Sequence, residues 1–296
     1  MEGSSSRHVA LRTALLGWSP EGWRDLPWRR TRDPWAVLVS ELMLQQTQVS
    51  RVLGPFEAFV RRFPDPGACA AAAVGDVVAA WAGLGYNRRA VLLHRSATQV
   101  VERHGGRLPA QLDALLALPG VGPYTARAVL VFAFGQDHGV VDTNAARVLA
   151  RAVAGAPLGA HEVQARADEV VPPADAWRWN QSVLDLGATV CLRRRPRCGA
   201  CPLAVAGACA WHAHGHPLPD PADGSAGVSG AQSRFAGSDR QGRGRLVAAL
   251  RRGPVALAQV AHAAGWPEDP GRAERIVAAL VADGLAVRRG DRLVLP

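Results

Sequence analysis

The sequence predicts a mainly α-helical fold with a small winged-helix-like module at its C-terminal end. Three observations carry that prediction. Apolar residues recur three and four apart through the first two-thirds of the chain. Few segments there alternate with period two, so a sheet is not expected. Residues 213–243 then turn rich in Gly, Pro, Ser and Ala, a linker composition, before ordered patterning resumes. The expected domains are a helical core over 1–212, a flexible linker over 213–243 and a module over 244–296. With 296 residues, 48% of them apolar, the chain is long enough for two ordinary domains with real cores.

The elements follow in order. Asp33-Pro34 opens a helix to about Gln45, with Asp33 as N-cap and Pro34 in the first helical position. Further helices are predicted near 51–62, 75–82, 87–103, 111–117, 123–134, 143–153, 161–170 and 176–188. In the tail, helical patterns at about 244–252, 256–264 and 270–283 precede LAVRRGDRLVLP, which reads as strand–turn–strand. Three helices and a hairpin describe a winged helix, and a small cap packed on the core is the other reading. Arg272, Arg275, Arg288, Arg289 and Arg292 are either phosphate contacts or a solvated face.

Composition narrows the chemistry. The formal net charge is +9, and all 34 basic residues are arginine. The surplus points to a polyanionic partner, nucleic acid or an acidic membrane face. The absence of lysine excludes a lysine nucleophile, a Schiff base and a phosphate-binding P-loop. No run of about 18 apolar residues is free of charge. The N-terminus has no long apolar region with a cleavage site, and no basic amphipathic helix presents a clear apolar face. Nucleic acid rather than a membrane is therefore the expected partner, and the chain is read as a cytoplasmic, nucleoid-associated monomer.

Four motifs carry the functional signal. Leu118-Pro119-Gly120-Val121-Gly122-Pro123-Tyr124-Thr125-Ala126 lies between two apolar helical stretches. Gly120 and Gly122 allow a tight turn, and the next helix aims its free amides outward, a geometry that holds a phosphate without reading sequence. This is a helix–hairpin–helix. Asp142, in GVVDTNAARVLAR, sits where a helix N-cap is expected; a cap alone is one reading and a functional carboxylate the other. Glu41, in VSELMLQQTQ, shares a helix face with Val37 and Leu38. A carboxylate on such an apolar stripe favours its protonated form, as a general acid requires, although a buried structural glutamate fits the same pattern. Finally, Cys191-x6-Cys198-x2-Cys201-x7-Cys209 clusters four of the five cysteines. Four thiolates at this density suit a 4Fe–4S cluster. A structural zinc is the alternative, with His212, His214 and His216 nearby. Arg193, Arg194, Arg195 and Arg197 make the same loop basic enough to clamp phosphates, and Cys69 reads as packing.

Together these segments resemble the helix–hairpin–helix DNA glycosylases with an iron–sulfur loop, and within them the MutY-type adenine glycosylases. The resemblance covers about residues 10–212. Its most specific pieces are LPWRRTRDPWAVLVSELMLQQTQV, WAGLGYNRRA, LPGVGPYTARA, VVDTNAARVLAR and WNQSVLDLGATVC. It implies a fold of two helical subdomains and removal of adenine mispaired with 8-oxoguanine or guanine during base excision repair. It implies that Glu41 protonates adenine N7, that Asp142 stabilises the sugar cation, that Tyr124 assists at the sugar and that Asn144 holds the site together. Arg24, Leu26, Trp28, Arg29 and Gln181 match an adenine pocket, and Gln46 and Tyr86 match residues that push into the base stack. Cys191, Cys198, Cys201 and Cys209 match the cluster ligands, with a longer last spacing than the family pattern. A tyrosine at 124, where strand-cutting relatives have lysine, implies a monofunctional enzyme. The tail after 243 is too short for the second, nucleotide-hydrolase-like domain common in this family. A thymine or uracil glycosylase, or a non-catalytic iron–sulfur DNA-binding regulator, would share part of this pattern.

Overall fold

The computed structural model describes residues 2–226 and 234–296, without the side chains of 2–5 and 19–22. It is mainly helical and divides into two compact units. One comprises residues 1–32 and 123–231, the other 33–122 and 232–296. Among the described residues no helix is long and apolar enough to cross a membrane.

In the unit of 33–122 and 232–296, the helix Pro34–Leu44 starts as expected. The Asp33 carboxylate accepts the Ala36 amide at 2.7 Å. Nine consecutive residues, Trp35–Met43, are buried, the pattern of a helix packed on all sides. Helices Val49–Arg62, Val74–Ala80 and Arg88–His104 surround it. The short helix Pro66–Ala71, capped by Asp65 onto the Ala68 amide at 2.8 Å, joins them. Arg88–His104 stops at Gly105, whose φ of +59° is left-handed.

The same unit holds the C-terminal module. Helices Asp239–Leu250, Val260–Ala264 and Pro270–Ala282 pack with a three-stranded antiparallel sheet, in which Arg292–Val294 lies between Val255–Ala256, a strand that follows the first helix, and Val287–Arg289. Leu293 pairs with both Val255 and Arg288 and is buried with Leu246, Leu250, Ile276, Val277 and Leu280. Three helices with a terminal hairpin match the winged-helix-like reading. The module is tied to its unit by Arg251, which donates to the Val78 carbonyl at 2.9 Å and to Asn87 Oδ1 at 2.8 Å. The Gly75 amide also donates to the Pro296 carbonyl at 2.9 Å.

The other unit contains Glu2–Gly22, Pro123–Phe132, Thr143–Val148, Ala160–Val170 and Ala176–Thr189. The predicted helix 143–153 continues past Val148 as a wider π turn over Leu149–Ala154. The expected linker 213–243 is much shorter than its composition suggests. Pro221, Ala222 and Ser225 are buried, the Leu158 amide donates to Ser225 Oγ at 3.0 Å, and Asp220 pairs with Arg151. At its other end the helix from Asp239 has already begun. The remainder of that stretch, 227–233, lies outside the described residues.

Candidate active site

Asp142 is an N-cap with a second role open to it. Its Oδ1 accepts the amides of Asn144 and Ala145 at 2.8 and 2.7 Å, and its Oδ2 accepts Asn144 Nδ2 at 2.9 Å. Arg147 Nη2 then donates to Asn144 Oδ1 at 2.9 Å, and Arg147 Nε reaches the Cys191 carbonyl at 2.6 Å. A hydrogen-bonded chain therefore runs from Asp142 through Asn144 and Arg147 to the first cysteine. Gly187 permits it: a Cβ there would lie 2.7 Å from Asn144 Cβ. Burial pushes the Asp142 carboxyl above its ordinary range, while the Ala145 and Asn144 donors pull it back. Tyr124, half-buried, is the second residue of Pro123–Phe132 in this same unit.

Leu26, Trp28 and Gln181 are all buried here. Arg24 and Arg29 turn out to be engaged. Arg29 forms a fork onto Asp185 at 2.6 and 2.9 Å, and Arg24 Nε adds a third bond at 2.6 Å. Asp185 is 0% exposed, so two guanidiniums neutralise one buried carboxylate. Their first task is to fix the residues around Leu26 and Trp28. Asp185 was not singled out in the sequence, since no local signal marks a carboxylate whose partners lie about 160 residues away.

Cys191, Cys198, Cys201 and Cys209 are free thiols that line one cavity with Arg151 and Trp211. Arg151 Nη1 lies 3.5 Å from Cys191 Sγ. Yet among the described residues no three of His, Cys, Asp or Glu form a group that could hold a single metal ion. His212 and His216 meet edge to face, and His214 Nδ1 lies 2.7 Å from the Ala210 carbonyl. Four thiols on one cavity are a donor set compatible with an iron–sulfur cluster. Cys69 is fully buried, its thiol pushed up to about 12 by burial, in keeping with packing.

In the other unit, Glu41 is 4% exposed on its apolar helix. Gly120 (φ +81°) makes the hairpin turn, where a Cβ would meet Leu92 Cβ at 3.0 Å; Gly122 follows in the same turn. Gln46 and Tyr86 line a single cleft, and both have left-handed backbones, φ +54° and +44°. Such conformations cost about 1–3 kcal/mol and need support. The support is Arg89, a residue the sequence did not flag. It donates to the carbonyls of Leu42, Met43 and Gln45 at 2.7, 2.9 and 2.5 Å, to Thr47 Oγ1 at 2.8 Å and to the Gly85 carbonyl at 3.1 Å. One guanidinium thus closes the C-terminus of the Glu41 helix and fixes both strained turns. Burial lowers its pKa to about 10, so it stays charged at neutral pH.

A helix–hairpin–helix followed by a short loop and a half-buried aspartate that caps the next helix defines the class as a base excision repair fold. The family model "HhH-GPD superfamily base excision DNA repair protein" matches residues 39–173. The chain belongs to this superfamily and, within it, to the MutY-type adenine DNA glycosylase family. It is 43% identical to an adenine DNA glycosylase of Mycobacterium tuberculosis, across 98% of this chain and 94% of that one. It is 38% identical to a thymine/uracil-DNA glycosylase of Pyrobaculum aerophilum, across 67% of this chain and 90% of that one. Among solved structures, a thermostable thymine-DNA glycosylase superposes with a TM-score of 0.65 at 28% identity, covering 71% of this chain and 98% of its own.

Proposed function

We propose that the protein is a monofunctional adenine DNA glycosylase that excises adenine opposite oxidised or plain guanine. The observation that carries this reading is the extent of the likeness. Similarity to the mycobacterial adenine glycosylase runs through the C-terminal module, whereas the thymine/uracil relative matches two-thirds of the chain. The chemistry of the two carboxylates agrees. Adenine is a poor leaving anion, so a proton must reach the base before the bond to the sugar breaks. Glu41, held in apolar surroundings, suits a general acid acting at N7. Asp142, already anchored by three N–H donors, suits a fixed negative charge beside the developing sugar cation, with Tyr124 assisting and Asn144 keeping the carboxylate oriented. The target base is out of reach inside a duplex and must be flipped out. Leu26, Trp28 and Gln181 would then receive it, on a floor fixed by Arg24 and Arg29.

The cysteine cavity would hold a 4Fe–4S cluster through Cys191, Cys198, Cys201 and Cys209. The four thiols line one cavity, and four thiolates suit such a cluster. When bound, the cluster would staple the basic loop of Arg193, Arg194, Arg195 and Arg197. Purified protein should contain about four irons per chain, and stoichiometric zinc would overturn this assignment.

The functional reading is tested by single-turnover base release on duplexes carrying adenine opposite oxidised guanine, guanine or thymine, and thymine or uracil opposite guanine. Adenine release from the guanine-type pairs is expected. Release of pyrimidines alone would make the chain a thymine/uracil glycosylase, and no release from any duplex would favour a non-catalytic DNA-binding regulator.

A further inference from the structure

The cleft beside Gln46 and Tyr86 has a second wall that the fold alone does not explain. Its volume is about 670 Å³, and it lies within the unit of 33–122 and 232–296. One wall comes from the turns at Gln45–Gln46 and Leu84–Arg89, the other from the C-terminal module through Phe235, Arg240, Arg243 and Val247. Arg240 Nη1 donates to Tyr86 Oη at 3.3 Å, so the two walls meet in a specific contact.

The lining has the chemistry of a nucleotide site. Two aromatic rings stand open to solvent, Tyr86 at 40% and Phe235 at 58% exposure. Five arginines line the cleft, Arg51, Arg88, Arg89, Arg240 and Arg243, against one carboxylate, Asp283. Asp283 pairs with Arg243 and, at 3.4 Å, with Arg88, so its charge is neutralised inside the wall. The cleft keeps an excess of positive charge beside exposed ring faces, the pairing that holds a phosphate and stacks its base. The arginines of the hairpin side are differently placed: Arg288 pairs with Glu274, and Arg272 pairs with Asp239 and stacks on Trp266.

We infer that this cleft is a second nucleotide-binding site, in which the C-terminal module takes one unstacked nucleotide of the bound DNA. Its base stacks between Phe235 and Tyr86, and its phosphate lies against Arg240 and Arg51. The inference rests on the DNA reading above. It gives the module a direct part in DNA contact.

The test uses the full chain, with Phe235→Ala and Arg240→Ala, and two labelled duplexes, one fully paired and one with a single unpaired, bulged nucleotide. Loss of a stacking contact should weaken Phe235→Ala binding to the bulged duplex about tenfold and leave the paired duplex nearly unchanged. Arg240→Ala should lower the slope of log K against log salt by about one on the bulged duplex. Both side chains are on the surface, and matching thermal melts would confirm folding. Variants that bind the bulged duplex like wild type, with the same salt slope, would overturn the inference while leaving the glycosylase reading intact. A wild type that binds neither duplex would remove both.

Discussion

Two carboxylates in two regions of the molecule are held in different ways. Asp142 caps a helix, receives three N–H donors and is linked through Asn144 and Arg147 to the cysteine loop. Glu41 lies in mid-helix among Val37, Leu38, Leu42 and Met43, all buried. Asp142 is oriented by fixed N–H donors although burial raises its pKa, whereas Glu41 is buried between apolar neighbours on its helix. On the proposed function, one chemical group type would serve two roles because its surroundings differ, as the cleavage of a sugar–base bond demands.

The largest effect expected from breaking this comparison is at Glu41. Glu41→Gln should lower single-turnover adenine release by about 10²–10⁴-fold, the usual range of general-acid help, with DNA affinity retained. Asp142→Asn comes next, at about 10²–10³-fold. Asparagine caps a helix as well as aspartate does, so this change removes the charge and keeps the fold. The pH dependence sharpens the point. Burial raises the Asp142 pKa, so the anion is lost, and with it activity, as pH falls through a value above the ordinary carboxylate range. The variant should lack that acid limb. For stability the sign is opposite. A raised folded-state pKa contributes stability below the unfolded carboxyl's pKa, and that contribution is lost as pH rises through the folded value. Asp142→Asn should accordingly melt no lower than wild type at neutral pH.

Smaller effects test the scaffolds under each carboxylate. Arg29→Ala leaves the buried Asp185 with Arg24 as its remaining cationic partner and should cost about 3 kcal/mol in a denaturant titration. Asp142→Ala removes a cap as well as a charge, and its added loss of about 1 kcal/mol relative to the asparagine variant would be read in the same titration.

Much of this was legible in the sequence because the signals are local. Asp33-Pro34 and the three- and four-residue spacing located helices to within a few residues, and GVG between two apolar stretches located the hairpin. Asp65-Pro66 carries the same start signal as Asp33-Pro34, but the helix it opens, PGACAA, is too short and featureless to show a period. The helix Glu2–Gly22 is missing from the predicted elements, because Leu11 and Leu15 mark one face among Ser, Gly and Arg. The roles of Asp185, Arg89, Arg147 and Arg251 were not legible, because their partners are distant in sequence. The module was seen as three helices and a hairpin, while its seat on Val78 and Asn87 depends on a single arginine among 34.

The division of labour between the two carboxylates is tested most directly by changing the leaving group. Adenine methylated at N7 already carries the positive charge that protonation there would supply. Single-turnover release of this base should return Glu41→Gln to within about tenfold of wild type, since general-acid help is no longer needed, while Asp142→Asn stays slow. Equal rescue of both variants, or rescue of Asp142→Asn alone, would contradict the assignment.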